Sequence, residues 1–393
     1  MPKKILIAGG GYADIPMILS AKKLGLKVYT TGNRPEEMGH KYSDEYIPAD
    51  FSDRQAILDI CRKLKVDGVC PCCNDFSALS AAYAAEQLGL PGHDSPAVLE
   101  TLMHKDKFRY FCREHGLPTP HWHSQDAAAP LPDNLELRYP LIVKPVDLTG
   151  GKGIAKVNNF EELTEAVRKA TTLSRSRQIV IEEFIVPDDF HHNFVAFLRN
   201  GKVAFYNSDN EHYYKNKFLV WGMSVPTSAP KAIDEQLVAH CEKVAALLKL
   251  KDGLVLMQHC VRDGELLITE FSRRMPGNLH GRLIELSTGF EISKYAIMTS
   301  MGMDCSEAVH KEPMGYWSEN CIMADRNGYV QSMILDECIK GNVVESVIWG
   351  EKDYIIDNYM VDKLGILLMC FDTYEDMLEK SESMFKFTHI NFA

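Results

Sequence analysis

The sequence predicts an α/β fold in three successive parts, and three observations carry that expectation. Over the first hundred residues, short β-rich runs alternate with amphipathic stretches, the pattern of a parallel sheet covered by helices. In the middle of the chain, two strand-like runs flank a glycine-rich loop, and hairpins follow around Asn200-Gly201 and Asp263-Gly264. Beyond about residue 305 the pattern changes to strands with one capped helix. At roughly 150 residues per domain, 393 residues suffice for two or three units. The expected boundaries are 1–104, 105–304 and 305–393.

Taken in order, residues 3–8 read as a buried strand and Asp14–Leu24 as a helix with apolar Ile15, Ile18 and Leu19. Strands at 27–31 and 68–72 alternate with helices at 55–64 and 76–88. A helix over 105–115 ends at Gly116 and the extended Leu117-Pro118-Thr119-Pro120. Strands at 141–144 and 154–157, a helix at 161–171 and a strand at 178–184 come next. Hairpin strands at 194–198 and 203–206, a long helix at 235–248, and paired strands at 254–261 and 266–271 complete the middle part. The last part holds strands at 328–335, 343–349, 364–371 and 388–392, with a helix over 374–385 capped by Thr373, Asp376 standing three residues on.

Composition narrows the function. Apolar residues at 46% and charged residues at 25% describe a folded globular chain. The net charge of −11 excludes the electrostatic footprint of a duplex nucleic-acid or anionic-membrane binder. No run reaches the roughly 18 apolar residues of a membrane span, and the apolar part of Ile5-Leu6-Ile7-Ala8 is too short for a signal peptide. Eleven scattered cysteines, an odd count, suit buried thiols in a reducing, cytoplasmic setting. The cluster Cys70-Pro71-Cys72-Cys73 lacks the second ligand pair that a zinc site needs.

The Gly9-Gly10-Gly11 turn invites a dinucleotide reading. Asp14 stands where the third glycine of that fingerprint belongs, and no acidic residue follows the second strand at Thr31-Gly32-Asn33-Arg34. A nest for another anion and a plain tight turn both remain open.

The chemistry concentrates in the middle. Lys144 lies on a strand, in Pro140-Leu-Ile-Val-Lys144-Pro145, and precedes Thr149-Gly150-Gly151-Lys152-Gly153, whose N–H groups can surround phosphate oxygens. No Gly-Lys-Ser/Thr opens a helix there, so this is not a Walker loop. The strand end Glu182-Glu183-Phe184-Ile185 can present backbone groups to an adenine edge, and Asp189 can accept from ribose hydroxyls. Gln258 and Glu270 lie on strands joined by the Arg262-Asp263-Gly264 turn. Hard oxygens such as those of Glu270 suit Mg²⁺, and Arg274 can neutralise an acyl phosphate.

These segments together resemble an ATP-grasp ligase of the amino-acid-ligase and carbamoyl-phosphate-synthase-like branch, in order from residue 1 to about 300. The resemblance implies a Rossmann-like first domain, a two-subdomain nucleotide-binding core and a smaller mixed α/β closing domain. It implies Lys107 and Lys144 as nucleotide-binding lysines, Thr149 to Gly153 as the phosphate loop, Glu182 to Ile185 as the adenine hinge and Asp189 as the ribose carboxylate. Glu270, Gln258 and Ser272 take the Mg²⁺ positions, and Arg274 and Lys144 the catalytic ones. ATP and Mg²⁺ are the implied cofactors, a small carboxylate and an amine the substrates, and a homodimer an open assembly. Gln258 stands where the family usually has Glu, Ser272 where it has Asn, and Asp189 where Glu is commoner. His280 and Arg282, after Met275-Pro276-Gly277, are candidate substrate contacts. His191, His192 and His212 read as surface residues, and Lys215 and Lys217 could reach a transferring phosphoryl group, although the sequence does not place them.

Overall fold

The computed structural model describes residues 1–132, 134–148 and 151–393. Thr149 and Gly150 of the expected phosphate loop, and Asp133, lie outside the described residues. The chain forms two compact units from interleaved segments: residues 1–96, 192–256 and 273–393 make one, and 97–191 with 257–272 make the other.

The first unit opens as its alternation predicts. Strands Lys4–Ala8, Lys27–Gly32, Glu45–Pro48 and Gly68–Pro71 form a parallel sheet, with Lys4–Ala8 between Lys27–Gly32 and Gly68–Pro71. Helices Ile15–Lys23, Arg54–Leu64 and Asp75–Leu88 follow the strands Lys4–Ala8, Glu45–Pro48 and Gly68–Pro71. Local chemistry sets their ends: the Asp53 carboxylate accepts from Gln55 and Ala56 N–H, Asn74 from Phe76 N–H, and Gly89 closes the last helix in a left-handed conformation.

A larger antiparallel run of strands belongs to the same unit: His191–Arg199, Lys202–Tyr213, Val220–Val225, Tyr316–Met323, Lys363–Phe371 and Val343–Ile348, hydrogen-bonded in that order. The Asn200-Gly201 turn is left-handed at both residues, φ 52° and 72°, as its sequence requires. The sheet runs unbroken past residue 304, so the compact units cut across the expected division at 304/305. Three of its features were not read from sequence. Tyr316–Met323 and Val220–Val225 are additional strands, and Lys202–Tyr213 extends through Asn207-Ser208-Asp209-Asn210-Glu211, which are all buried. Helices His280–Thr288 and Ile292–Ser300 lie in the last segment, Leu283 packing with Met223, Val225 and Leu368.

The second unit holds an antiparallel sheet in the order Trp122–Asp126, Gln178–Glu183, Leu141–Pro145, Ala155–Val157. Its apolar face (Leu141, Val143, Ile179 and Ile181) packs on Leu163, Ala166, Val167 and Ala170 of helix Phe160–Leu173, capped by Asn159. Helix Lys105–His115 and the tip of the hairpin Gly253–Arg262 with Glu265–Ser272 complete it.

Candidate active site

The second unit concentrates alternating charges on few elements. Ile142 is opposite Glu182 and Lys144 opposite Val180, so Lys144 and Glu182 occupy diagonal positions on one face of neighbouring strands. Lys144 Nζ donates to Glu182 Oε2 at 2.8 Å, and Arg109 Nε donates to Glu182 Oε1 at 2.7 Å. Arg109 Nη2 also reaches the Thr269 carbonyl at 2.8 Å. Burial alone would raise the Glu182 carboxyl, but the two cations outweigh it and bring it down to about 2. The Glu182 side chain is therefore an ionised anchor for Lys144.

The hinge segment is further engaged. Glu183 N–H donates to the His121 carbonyl and its carboxylate accepts from Arg138, while Phe184 N–H donates to the Pro140 carbonyl. Lys156 stands 4.1 Å over the Phe184 ring. Ile185 is buried, and Asp189 is exposed, its carboxylate accepting from Phe190 N–H. Of the loop, Gly151 and Gly153 have φ 71° and 72°, and a Cβ on Gly153 would stand 2.8 Å from Pro145 Cγ, so glycine is required there. Lys152 is exposed.

Lys107 is placed differently from expectation. Its Nζ pairs with Glu100 at 3.0 Å on an exposed face. Lys105, two residues earlier, is 8% exposed, and its ammonium lies 3.0 Å from the Leu148 carbonyl, at the edge of the glycine loop, and 3.3 Å from Glu270 Oε1. The sequence held a signal for this. Lys105, Phe108, Arg109 and Cys112 form the i, i+3, i+4, i+7 stripe that the helix buries, and Lys107 is off it. Arg109 escaped notice for the same reason.

Glu270, Gln258 and Ser272 lie on the hairpin, where Thr269 Oγ1 donates to the Gln258 carbonyl at 3.1 Å. Among the described residues no group of three or more His, Cys, Asp and Glu could hold a metal ion. One carboxylate with amide and hydroxyl oxygens is a hard donor set that fits a Mg²⁺ ion keeping most of its shell as water and phosphate oxygens.

In the first unit, Arg274 and its neighbour Arg273 divide in role. Arg273 is locked by Asp94 at 2.8 Å and by the carbonyls of Lys251 and Leu254, a structural tie. Arg274 pairs with Asp75 at 2.5 Å, at the start of the helix after strand Gly68–Pro71. The glycine turn is filled from within: Asp14 accepts from Gly11 and Cys73 N–H, and Cβ atoms on Gly9 and Gly10 would strike Cys72 and the His40 ring at 2.2 and 2.1 Å. It is a close-packing turn and its N–H groups are not open to an anion.

The surface reading of His192 and His212 is corrected. His192 and His212 are buried, hydrogen-bonded to Thr227 and Ser224, and burial pushes the His212 imidazole down to about 3. Arg282 is held by Glu345 and Glu285, and Lys215 by the Asp325 carbonyl.

Residues 110–279 match the ATP-grasp domain family. Over that stretch the chain is similar to an ATP-grasp domain. It is 25% identical over 291 residues to the formate-dependent phosphoribosylglycinamide formyltransferase of Prochlorococcus marinus subsp. pastoris, covering 70% of each chain. It is 23% identical over 327 residues to the C-terminal section of the carbamoyl phosphate synthase large chain of Aquifex aeolicus, covering 78% of this chain and 59% of that one. The L-amino acid ligase of Bacillus licheniformis superposes with a TM-score of 0.84 at 22% identity, covering 100% of this chain and 99% of that one, so the two share a fold over the whole chain. The family match takes in Lys144, Glu182, Asp189, Gln258, Glu270, Ser272 and Arg274, while Lys105 and Lys107 lie just before it. No helix among the described residues is long and apolar enough to cross a membrane.

Proposed function

We propose that the protein is a Mg-ATP-dependent ligase that activates a carboxylate as an acyl phosphate and passes the acyl group to an amine, releasing ADP and phosphate. The observation that carries this reading is the pairing, on one ATP-grasp unit, of Lys144 held by Glu182 with Lys105 beside both the glycine loop and Glu270. Two preset ammonium groups offset polyphosphate charge, and their positions cost nothing to organise at the moment of reaction. Lys105 takes the place first given to Lys107. With the Glu183 and Phe184 N–H groups donating within the fold, the hinge at Glu183, Phe184 and Ile185 would meet the base through its remaining main-chain groups, and Asp189 would accept from the ribose. Glu270, with Gln258 and Ser272, would hold Mg²⁺, which supplies charge neutralisation on the transferring phosphoryl group. Arg274 keeps the role of binding the anionic acyl group.

The test is an ADP-release screen over a grid of carboxylates and amines with Mg²⁺. ADP release that requires both partners supports the ligase. Release driven by bicarbonate alone would favour the carbamoyl-phosphate-type chemistry that the Aquifex relative's name describes. Nucleotide binding without ADP release in any cell of the grid would leave an ATP sensor.

A further inference from the structure

The antiparallel sheet of the first unit buries a polar face that the nucleotide chemistry leaves unused. Asn193 is opposite Asp209, Glu211 is opposite Met223, and Met223 is opposite Glu319. Glu211, Met223 and Glu319 thus form a row across three strands, with Asp209 two residues from Glu211 on the same face. Helix His280–Thr288 covers this face, its Leu283 packing with Met223 and its His280 Nε2 lying 2.7 Å from Asp209 Oδ2.

Asp209, Glu319 and His280 are each 0% exposed, and each retains an atom with no protein hydrogen-bond partner: Asp209 Oδ1, Glu319 Oε2 and His280 Nδ1. Orphaned polar atoms at this depth are costly unless something else satisfies them. The neighbouring charged groups are already engaged. Glu211 accepts from Asn193 and Tyr213, and half-buried Lys363 donates to Asn278. Burial pushes the Glu319 carboxyl well above the ordinary carboxylate range; Lys363 offsets this only in part and Asp209 adds to it. Cys321, 3.8 Å from Glu319, and Tyr12, which reaches Asn278 at 3.4 Å, complete the charged and titratable surroundings. Asp209 and Glu211 outnumber the one cation, Lys363, so the remaining imbalance is acidic, and a cation that displaced the Glu319 proton would meet only acceptors.

We propose that this face, at Asp209 and Glu319 beneath His280, is the subsite that takes the ammonium group of the amine substrate; the inference rests on the ligase reading above. A divalent metal is the poorer occupant, because no cluster among the described residues could hold one, whereas an ammonium asks only for acceptors within hydrogen-bond reach. Arg274 belongs to the same unit, and the segment from it to His280 includes Asn278 and Leu279, both left-handed at φ 56° and 62°. Two successive non-glycine residues in that region store strain of the kind found at functional turns, here in the roof over Asp209. With Nε2–H donating to Asp209, His280 Nδ1 carries the lone pair. It takes one proton from the bound R–NH₃⁺. The freed nitrogen pair forms the C–N bond, the C–O bond to phosphate breaks with its electron pair on oxygen, and a second nitrogen proton ends on the departing phosphate. One proton is released per turnover.

The experiment is calorimetry with the standard amino acids and their amides as probes, in the presence of a non-hydrolysable ATP analogue. At least one probe should bind the wild type, and titrations in two buffers of different ionisation enthalpy should show about one proton released per amine, as Glu319 surrenders its own. Asp209→Asn and Glu319→Gln should each weaken that probe at least tenfold and leave the analogue's affinity within twofold. Absence of binding by every probe overturns the subsite, as does equal affinity in both variants, the result of a purely structural network. If the variants do not fold, the wild-type proton count decides, and binding without proton release overturns it. Amine binding that meets these criteria without ADP release in the grid would sink the ligase reading and spare the subsite.

Discussion

Replacing Glu182 with Gln removes the carboxylate that Arg109 and Lys144 share, and leaves two cations, the first of them fully buried, facing a neutral amide. The Glu182 carboxyl is depressed from 4.5 to about 2, a difference of about 3 kcal/mol at neutral pH. Removing one partner of a buried ion pair costs about 3–5 kcal/mol in general, so the two routes agree. Because the folded value is the lower one, this contribution is fully present above about pH 4.5 and fades as pH falls towards 2. The assay is native-state hydrogen exchange of segments 97–191 and 257–272, which reports the second unit by itself. Glu182→Gln should lose about 3 kcal/mol at pH 7 and lack the acid-dependent part of the wild-type profile. Glu183→Gln is the control: its partner Arg138 has a side chain 81% exposed, and the loss should stay below about 1 kcal/mol. Equal, small losses in the two variants would refute the assignment of Glu182 as the unit's electrostatic anchor.

Two further outcomes follow from the same unit. Lys105→Ala should weaken MgADP at least tenfold by calorimetry, as expected for about 1.5–3 kcal/mol of charge-assisted hydrogen bonding, while Lys107→Ala stays within twofold; the reverse order would return the role to Lys107. Glu270→Gln should abolish ADP release, and Gln258→Glu should lower the Mg²⁺ concentration for half-maximal release, since an added carboxylate favours the ion; unaltered Mg²⁺ dependence in both would remove the metal assignment.

Wherever apolar periodicity and turn chemistry spoke together, the elements were legible. The strand Lys4–Ala8, the helix Lys105–His115 and the Asn200-Gly201 hairpin lie where pattern and glycine place them. The helix ends missed by a residue or two are matters of capping geometry. Two of the strands that the sequence hid have a polar inward face. Asn207-Ser208-Asp209-Asn210-Glu211 and Ser318-Glu319-Asn320 carry no alternation of apolar and polar types, because hydrogen-bonding side chains occupy interior positions. His192 and His212 were misplaced for the same reason. Matching by residue type picks out Lys107, whereas the face that the helix buries carries Lys105.

The interleaving of the two compact units has a consequence for how the enzyme comes into being. The polypeptide passes from one unit to the other at 96/97, 191/192, 256/257 and 272/273. On the ribosome, every segment of the second unit has been made once residue 272 is joined, whereas the strands Tyr316–Met323 and Lys363–Phe371 are still to come. Until they arrive, Val220–Val225 has an unpaired edge and Asp209 lacks its neighbour Glu319. Such long-range pairings close slowly and leave sheet edges open to wrong partners meanwhile. On the ligase reading proposed above, a nascent chain halted near residue 304 would therefore hold Lys105 and Lys144, assigned to ATP, and only part of the face assigned to the amine.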